Sequence, residues 1–200
     1  MTLHLTTFEG HAHGISALSD FRVQQLLPRL QAIEARITGI SARFVHLVAT
    51  DSPPDEALRT RLAALLSYGE PAPAAEADSL LFIVSPRFGT VSPWASKATD
   101  IAHNCGLAVR RIERITEYRL SLKSGFFSQA ALSEVQRHQV EALLHDRMTE
   151  SVMADRAQAA GLFTELQGAA LQTIDVLTGG KAALEAANSE FGLALDLAQG

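Results

Sequence analysis

The chain has 200 residues, of which 47% are hydrophobic and 20% charged, and this balance excludes an intrinsically disordered protein. A net charge of -5 without any basic run gives no electrostatic reason to expect nucleic acid binding. The single cysteine excludes an internal disulfide framework and fits a reducing compartment. No apolar stretch approaches the ~18 residues of a membrane span, and the chain does not start with a secretion signal, so we expect a cytoplasmic location.

The N-terminal residues predict a strand followed by a helix. Leu3 to Phe8 alternates in the manner of a strand, and Ser19 caps a pattern of apolar residues at helical spacing. This pattern extends to Ile37, so Gly39 is expected to end the helix. Pro28 lies inside it, where proline costs ~3 kcal/mol, and we therefore expect a bend or two helical pieces.

A polar loop separates this first strand from the helix. Two histidines one residue apart, His11 and His13, could chelate a metal ion, and they are flanked by Gly10 and Gly14. No cysteine or carboxylate cluster accompanies them. We therefore favour a plain loop over a metal site.

A second strand and helix complete the first half of the chain. The strand is predicted at Phe44 to Val48, and a turn at 51–54 leads into a helix with four inward leucines, Leu58, Leu62, Leu65 and Leu66. His46 within the strand is read as a structural histidine. The low-complexity stretch Glu70 to Asp78 then connects the two halves.

The second half repeats this plan. A buried strand at Leu80–Val84, a helix beginning at Pro93, a charged strand from Arg110 to Leu122 and a helix after Ser128 follow in order. Two such halves predict an α+β fold with a β-α-β-α duplication.

The stretch Ser85 to Leu107 has the most unusual composition in the chain. Ser92 and Pro93 are the preferred cap and first residue of a helix, and Gly106 is a typical left-handed stop. Trp94, Ala98, Ile101, Ala102 and Cys105 form the predicted apolar stripe, so Cys105 is expected to be a buried, unreactive thiol. The polar residues are Ser96, Lys97, Thr99, Asp100, His103 and Asn104. They indicate an anion site, an interdomain contact or a solvated surface.

Two charged segments allow similar alternatives. Three arginines within Arg110–Arg114 could bind a phosphate, but a strand splits such a cluster between its faces, and pairing with Glu113 and Glu117 is the better interpretation. The segment His145–Glu150 reads as a charged helix end. From Asp155 the Ala-rich tail predicts helix, interrupted at 178–180, with a last helix around 181–195.

Several of these segments resemble one family. SPWASKATDIAHNCGL, together with PRFGT before it and VRRIER after it, is similar to the N-terminal region of phosphoribosylformylglycinamidine synthases. SALSDFR, FVHL, LLSYG, LHDRMTESV and ALEAANSEFGLAL match in the same order. The resemblance therefore spans almost the whole chain. One departure is Ile115, which stands where the family commonly has glycine after IER.

The resemblance implies a fold and an organisation. Residues 1–150 are expected to form a PurS-like domain, a duplicated antiparallel sheet with helices packed on one side, with halves at about 1–69 and 79–150. Residues 151–200 would begin a helical linker. The family enzyme converts formylglycinamide ribonucleotide to its amidine with ATP and glutamine, and its nucleophile and its ATP and Mg²⁺ ligands belong to regions that this chain lacks. No catalytic residue, metal or cofactor is therefore expected here.

The implied partners are the synthetase and glutaminase domains of the full-length enzyme. Asn188-Ser189-Glu190 is not the family's N-S-E-H segment, because Phe191 follows. The candidates for an interdomain or ligand-proximal role are Arg87, Ser92, Trp94, Lys97, Asp100, His103, Asn104, Asp146 and Arg147. A free-standing PurS-like interaction subunit and a ferredoxin-like small-molecule sensor are the alternative functions.

Overall fold

A computed structural model describes residues 3–10, 13–74, 79–123, 132–166 and 171–176. The strands are β1 Leu3–Phe8, β2 Ile15–Ser16, β3 Ile37–Thr50, β4 Leu80–Pro86, β5 Arg111–Leu122, β6 Glu150–Met153 and β7 Leu171–Val176. The α-helices are α1 Asp20–Ile33, α2 Glu56–Leu65, α3 Pro93–Asn104 and α4 Glu134–Leu144. A 3₁₀ helix, Arg156–Leu166, follows β6 and is called the 3₁₀ segment below. None of the described helices has the length and apolarity needed to cross a membrane.

The described strands form one seven-stranded sheet in the order β6-β4-β5-β3-β1-β7, with β2 paired to β3. All pairings are antiparallel except that of β1 with β7. The two long strands β3 and β5 pair at the centre, and each belongs to one β-α-β-α unit. The α+β class and the duplication predicted from the sequence are thus confirmed.

The four α-helices pack on one face of the sheet. Alternate residues of the strands meet α2 and α3 in one apolar cluster and α1 and α4 in another. The opposite face is not left open, because the 3₁₀ segment lies on it and buries Ala159, Leu162 and Phe163 against β1, β3, β4 and β5. The sheet therefore has a helical face and a 3₁₀ face, and these names are used below.

The first helix is shorter than its apolar pattern suggested. It ends at Ile33, and Ile37 already belongs to β3, where it is fully buried and pairs with Leu122. The prediction of a helix as far as Gly39 is therefore wrong, because one buried isoleucine suits the end of a helix stripe and the start of a strand equally well. Pro28 lies within one helix and not between two pieces.

The segment after residue 150 also differs from its prediction. The boundary expected at 150/151 falls inside β6, which pairs with β4. The prediction of a continuous helix from Asp155 is wrong, because a 3₁₀ segment and then strand β7 follow. The division into a domain and a linker stays a prediction. The expected turn at 178–180, the helix at 181–195 and the helix start at Ser128 lie outside the described residues.

Candidate functional site

Both ends of α3 are fixed by the residues that predicted them. The Ser92 hydroxyl oxygen accepts a hydrogen bond from the Ala95 N–H at 3.0 Å and lies 3.4 Å from the Glu113 carboxylate. At the other end Gly106 takes a φ of 76° and the Leu107 N–H donates to the Ala102 carbonyl at 2.9 Å. This is the geometry of a Schellman cap. The helix is held rigidly at both ends, which gives its exposed side chains defined positions.

The buried face of α3 coincides only in part with the predicted stripe, because Ala102 is buried and Trp94 and Ala98 pack against the same cluster, whereas Ile101 and Cys105 do not. Ala95 and Ala102 are fully buried, and Thr99 between them accepts a hydrogen bond from the Ile112 N–H at 3.0 Å. Small side chains on this face let the helix lie close to β5. Ile101 is 41% exposed and Cys105 is also exposed, so the expectation of a buried thiol is wrong.

Beneath the start of α3 lies a cluster that the sequence did not reveal. The Arg114 guanidinium stacks between two rings, 4.0 Å from the centroid of Phe44 and 4.4 Å from that of Trp94. It also donates to the Tyr68 hydroxyl oxygen at 2.9 Å. Tyr68 in turn lies 2.8 Å from Nε2 of His46. The cluster joins β3, β5, the start of α3 and the residues after α2. Its members lie far apart in the sequence, so no local pattern predicted that they would meet.

The cluster holds His46 in its neutral form. The Tyr68 oxygen accepts from Arg114, and the Tyr68 hydroxyl can donate to Nε2 of the neutral His46 ring, 2.8 Å away. Burial, and secondly the positive charge of Arg114, lower the pKa of His46 to about 4 from its usual 6.5. The reading of His46 as a structural histidine agrees with this environment.

A groove opens beside this cluster, between α3 and the end of α2. It has a volume of about 350 Å³ and is lined by Leu65, Leu66, Tyr68, Trp94, Lys97, Ala98 and Ile101. Its walls are apolar, and Lys97 supplies a positive charge at the rim. Part of the stripe that was expected to be core therefore lines an open groove.

The loop that precedes α3 meets the turn that follows α4. The Arg87 N–H donates to the Thr149 carbonyl at 3.0 Å, which continues the pairing of β4 with β6 past its last residues. The 3₁₀ segment supports this region, since Phe88 lies over Gly161. Phe88 and Met148, which flank the hydrogen-bonded pair, are 48% and 79% exposed. We call the loop 87–91 and the turn 145–149 the loop edge.

The other candidates fall into three groups. Lys97, Asp100 and Asn104 are exposed on α3, and Asp146 and Arg147 are exposed on the loop edge. The Asp146 carboxylate accepts from the Met148 N–H at 2.8 Å and so shapes the turn. His103 does not point to the other candidates, because its Nε2 donates to the Val109 carbonyl at 2.7 Å. Among the described residues, no three His, Cys, Asp or Glu side chains converge in a way that could hold a metal ion.

The arginines of β5 are split between the faces, as strand geometry predicts. Arg111 pairs with Glu113 on the 3₁₀ face, where Phe163 lies 5.5 Å from its guanidinium, and Arg114 points to the helical face. Arg110 instead binds Asp51 at 2.7 Å. The predicted pairing with Glu113 is confirmed. The one with Glu117 is wrong, because that carboxylate has other partners.

Glu117 belongs to a ring of four charges on the 3₁₀ face. Its carboxylate binds Arg43 at 2.9 Å and Arg156 at 3.0 Å, and Glu9 lies 2.5 Å from Arg43 and 3.5 Å from Arg156. Each carboxylate thus lies between two guanidinium groups, and the charges cancel. Because Arg156 starts the 3₁₀ segment, the ring ties this segment to β3 and β5 and to the end of β1. We call these four residues the charge ring.

A comparison with protein-family models identifies the family of this chain. Residues 43–163 match the model described as formylglycinamide ribonucleotide amidotransferase N-terminal. The match covers more than half of the chain and runs from β3 through most of the 3₁₀ segment, so it includes α3, the groove and the loop edge. The chain belongs to the formylglycinamide ribonucleotide amidotransferase N-terminal family.

Proposed function

We propose that this chain is the N-terminal, non-catalytic part of a phosphoribosylformylglycinamidine synthase. The whole enzyme would convert formylglycinamide ribonucleotide, ATP, glutamine and water to the amidine, ADP, phosphate and glutamate in purine biosynthesis. It would work in the cytoplasm, and its other domains would bind ATP and Mg²⁺. The observation that carries this proposal is the family match over residues 43–163.

The role of this part would be to dock the synthetase and glutaminase domains and to help enclose the path of ammonia between them. The loop edge supports this role, because it presents Phe88 and Met148 to solvent next to Asp146 and Arg147. Apolar side chains within a polar rim are typical of a protein interface. The hydrogen bond from Arg87 to Thr149 and the contact of Phe88 with Gly161 hold this edge in place before any partner binds.

A mixing assay tests the proposal. The chain is added to a version of the enzyme that begins at the equivalent linker position, and ATP- and glutamine-dependent amidine formation is measured. Restored activity would support a docking scaffold. A folded chain, shown by circular dichroism, that neither restores activity nor co-elutes with the truncated enzyme would contradict it.

Reversing one charge on the loop edge is expected to weaken coupling. In the full enzyme, Arg147→Glu should lower glutamine-dependent amidine formation about tenfold, since a like-charge contact in an interface costs one or more kcal/mol. Glutaminase activity should stay unchanged. Asp100→Lys tests the exposed side of α3 in the same way.

The matched control is Arg29→Glu, which reverses an exposed arginine on α1, away from the loop edge. If Arg147→Glu and Arg29→Glu retain the same amidine-forming activity, the loop edge is not the docking surface.

The small-molecule sensor remains a second candidate, and the groove favours it. Its volume of about 350 Å³ lies at the lower end of the usual range for ligand pockets, and its walls combine apolar and aromatic side chains with one cation. Trp94 is the only tryptophan, so its fluorescence reports on binding directly. Titration with AMP should change the emission if the groove binds nucleotides. An unchanged emission at millimolar AMP would contradict the nucleotide-sensing form of this candidate.

A further inference from the structure

A second, smaller cavity lies on the other side of the sheet. It has a volume of about 140 Å³ and is lined by His13, Ser41, Ala42, Arg43, Pro73, Glu117 and Arg119. Its charged walls come from the 3₁₀ face of β3 and β5, whereas the groove lies on the helical face. Neither the family match nor the predicted site residues assign a role to it.

The register of the sheet brings the polar groups of this cavity together. Ser41 pairs directly with Arg119 across β3 and β5, and Arg43 pairs with Glu117 one step along the same face. Arg43 and Arg119 are therefore diagonal neighbours, at a distance that long side chains span easily. Two guanidinium groups thus flank one hydroxyl.

The balance of charge in this cavity is positive. The charge ring is neutral, because its two arginines offset its two glutamates. Arg119 is half-buried, and its side chain forms no hydrogen bond or ion pair within the part of the chain that the structure describes. Its charge is thus in excess.

Donors in the cavity are also left over. Arg43 directs Nε and Nη2 to Glu117 and Nη1 to Glu9, so three of the five N–H groups that a guanidinium carries are engaged with partners. The remaining N–H groups, the Ser41 hydroxyl and the His13 ring are all potential donors to the cavity. An arginine held by carboxylates on one side and open on another is preorganised for an anion.

We propose that this cavity binds a phosphate group. A guanidinium fork matches the oxygens of phosphate, the Ser41 hydroxyl would donate to a third oxygen, and a ring N–H of His13 would donate at the rim. The volume of the cavity limits the size of its ligand, because pockets that enclose a whole drug-sized molecule are ~300 Å³ or more. A cavity of about 140 Å³ therefore holds the phosphate and leaves the rest of a phosphomonoester outside. This inference does not depend on the proposed function.

The experiment is a titration of the protein with inorganic phosphate and, separately, with ribose 5-phosphate, followed by calorimetry at constant ionic strength. We expect saturable binding in wild type and at least tenfold weaker binding in Arg119→Gln, since a charge-assisted hydrogen bond is lost. Ser41→Ala should weaken binding by a few-fold and leave the fold intact. Binding of inorganic phosphate alone would identify the free ion as the ligand, and tighter binding of ribose 5-phosphate would identify a phosphomonoester.

Arg29→Gln is the matched control, because it removes one arginine charge from the helical side of the molecule. Its affinity should equal that of wild type. The proposal is overturned if wild type binds neither ligand at about 10 mM, or if folded Arg119→Gln and Ser41→Ala bind as tightly as Arg29→Gln. Circular dichroism of each variant establishes that it is folded.

Discussion

Replacing Glu117 by glutamine is expected to lower the free energy of unfolding by about 2–3 kcal/mol. The carboxylate is 4% exposed and bridges Arg43 and Arg156 in the charge ring. Removing one member of a buried ion pair leaves its partners uncompensated and typically costs ~3–5 kcal/mol. We place the effect below that range because the two guanidinium groups keep about a quarter of their surface in water.

Urea denaturation at neutral pH measures this loss of stability. Hydrogen exchange provides a second measurement, which depends on the position of Arg156. Because that residue starts the 3₁₀ segment, Glu117→Gln should expose the amides of this segment to hydrogen exchange more than those of α1. The control is Glu141→Gln, which removes an i,i+4 partner of Arg137 on the surface of α4. That loss should stay near 0.5 kcal/mol.

A double-mutant cycle separates the ring from an isolated pair. If Glu117→Gln and Arg156→Gln each destabilise the protein, the double variant should lose less than their sum, since neither charge is then left without its partner. Two outcomes would contradict the view that the charge ring holds the 3₁₀ segment against the sheet. One is additive losses of unfolding free energy, and the other is a loss in Glu117→Gln no larger than that in Glu141→Gln.

The local signals in the sequence were sufficient for most of the helical face. The ends of α3 were predicted by cap residues, Ser92 with Pro93 at the start and Gly106 at the end. Cap residues act through neighbouring backbone atoms, so the prediction they give does not depend on the rest of the chain. The apolar run Leu80–Val84 lies in β4 for a similar reason. Boundaries were less certain, because Ile37 satisfies two periodicities at once.

The 3₁₀ face could not be predicted in this way. The charge ring joins residues 9, 43, 117 and 156, and the segment around each of them does not indicate its partners in the ring. Only the pairing of β3 with β5 and the return of the chain after β6 bring them together. The prediction that the Cys105 thiol is buried was wrong for a related reason. A helical stripe defines a period, but it does not show which edge of the stripe faces the sheet.

His46 should make the stability of this protein depend on pH. Its folded pKa of about 4 lies below the usual 6.5, so between these values the unfolded chain binds a proton that the folded chain excludes. The stability is therefore complete above about pH 6.5 and falls as the pH is lowered towards 4. A shift of this size corresponds to a loss of about 3 kcal/mol, with a slope of up to about 1.4 kcal/mol per pH unit.

The slope of the free energy of unfolding between pH 6.5 and 4.5 measures this contribution. His46→Gln keeps a group that can accept the Tyr68 hydrogen bond but does not titrate, so its slope should be smaller than that of wild type by up to about one proton. The matched control is His138→Gln, which removes an exposed histidine from α4. Trp94 lies 5.5 Å from the His46 ring, and its emission should change over the same pH range.

The physical origin of this effect lies in the cluster that positions the groove. Protonating the fully buried His46 would place a second cation beside Arg114, and the Tyr68 hydroxyl could no longer donate to Nε2. The same proton would thus loosen Tyr68 and Trp94, which line the groove. Equal slopes in wild type and His46→Gln would show instead that His46 already titrates near its usual pKa in the folded protein, and the cluster would then not hold it neutral.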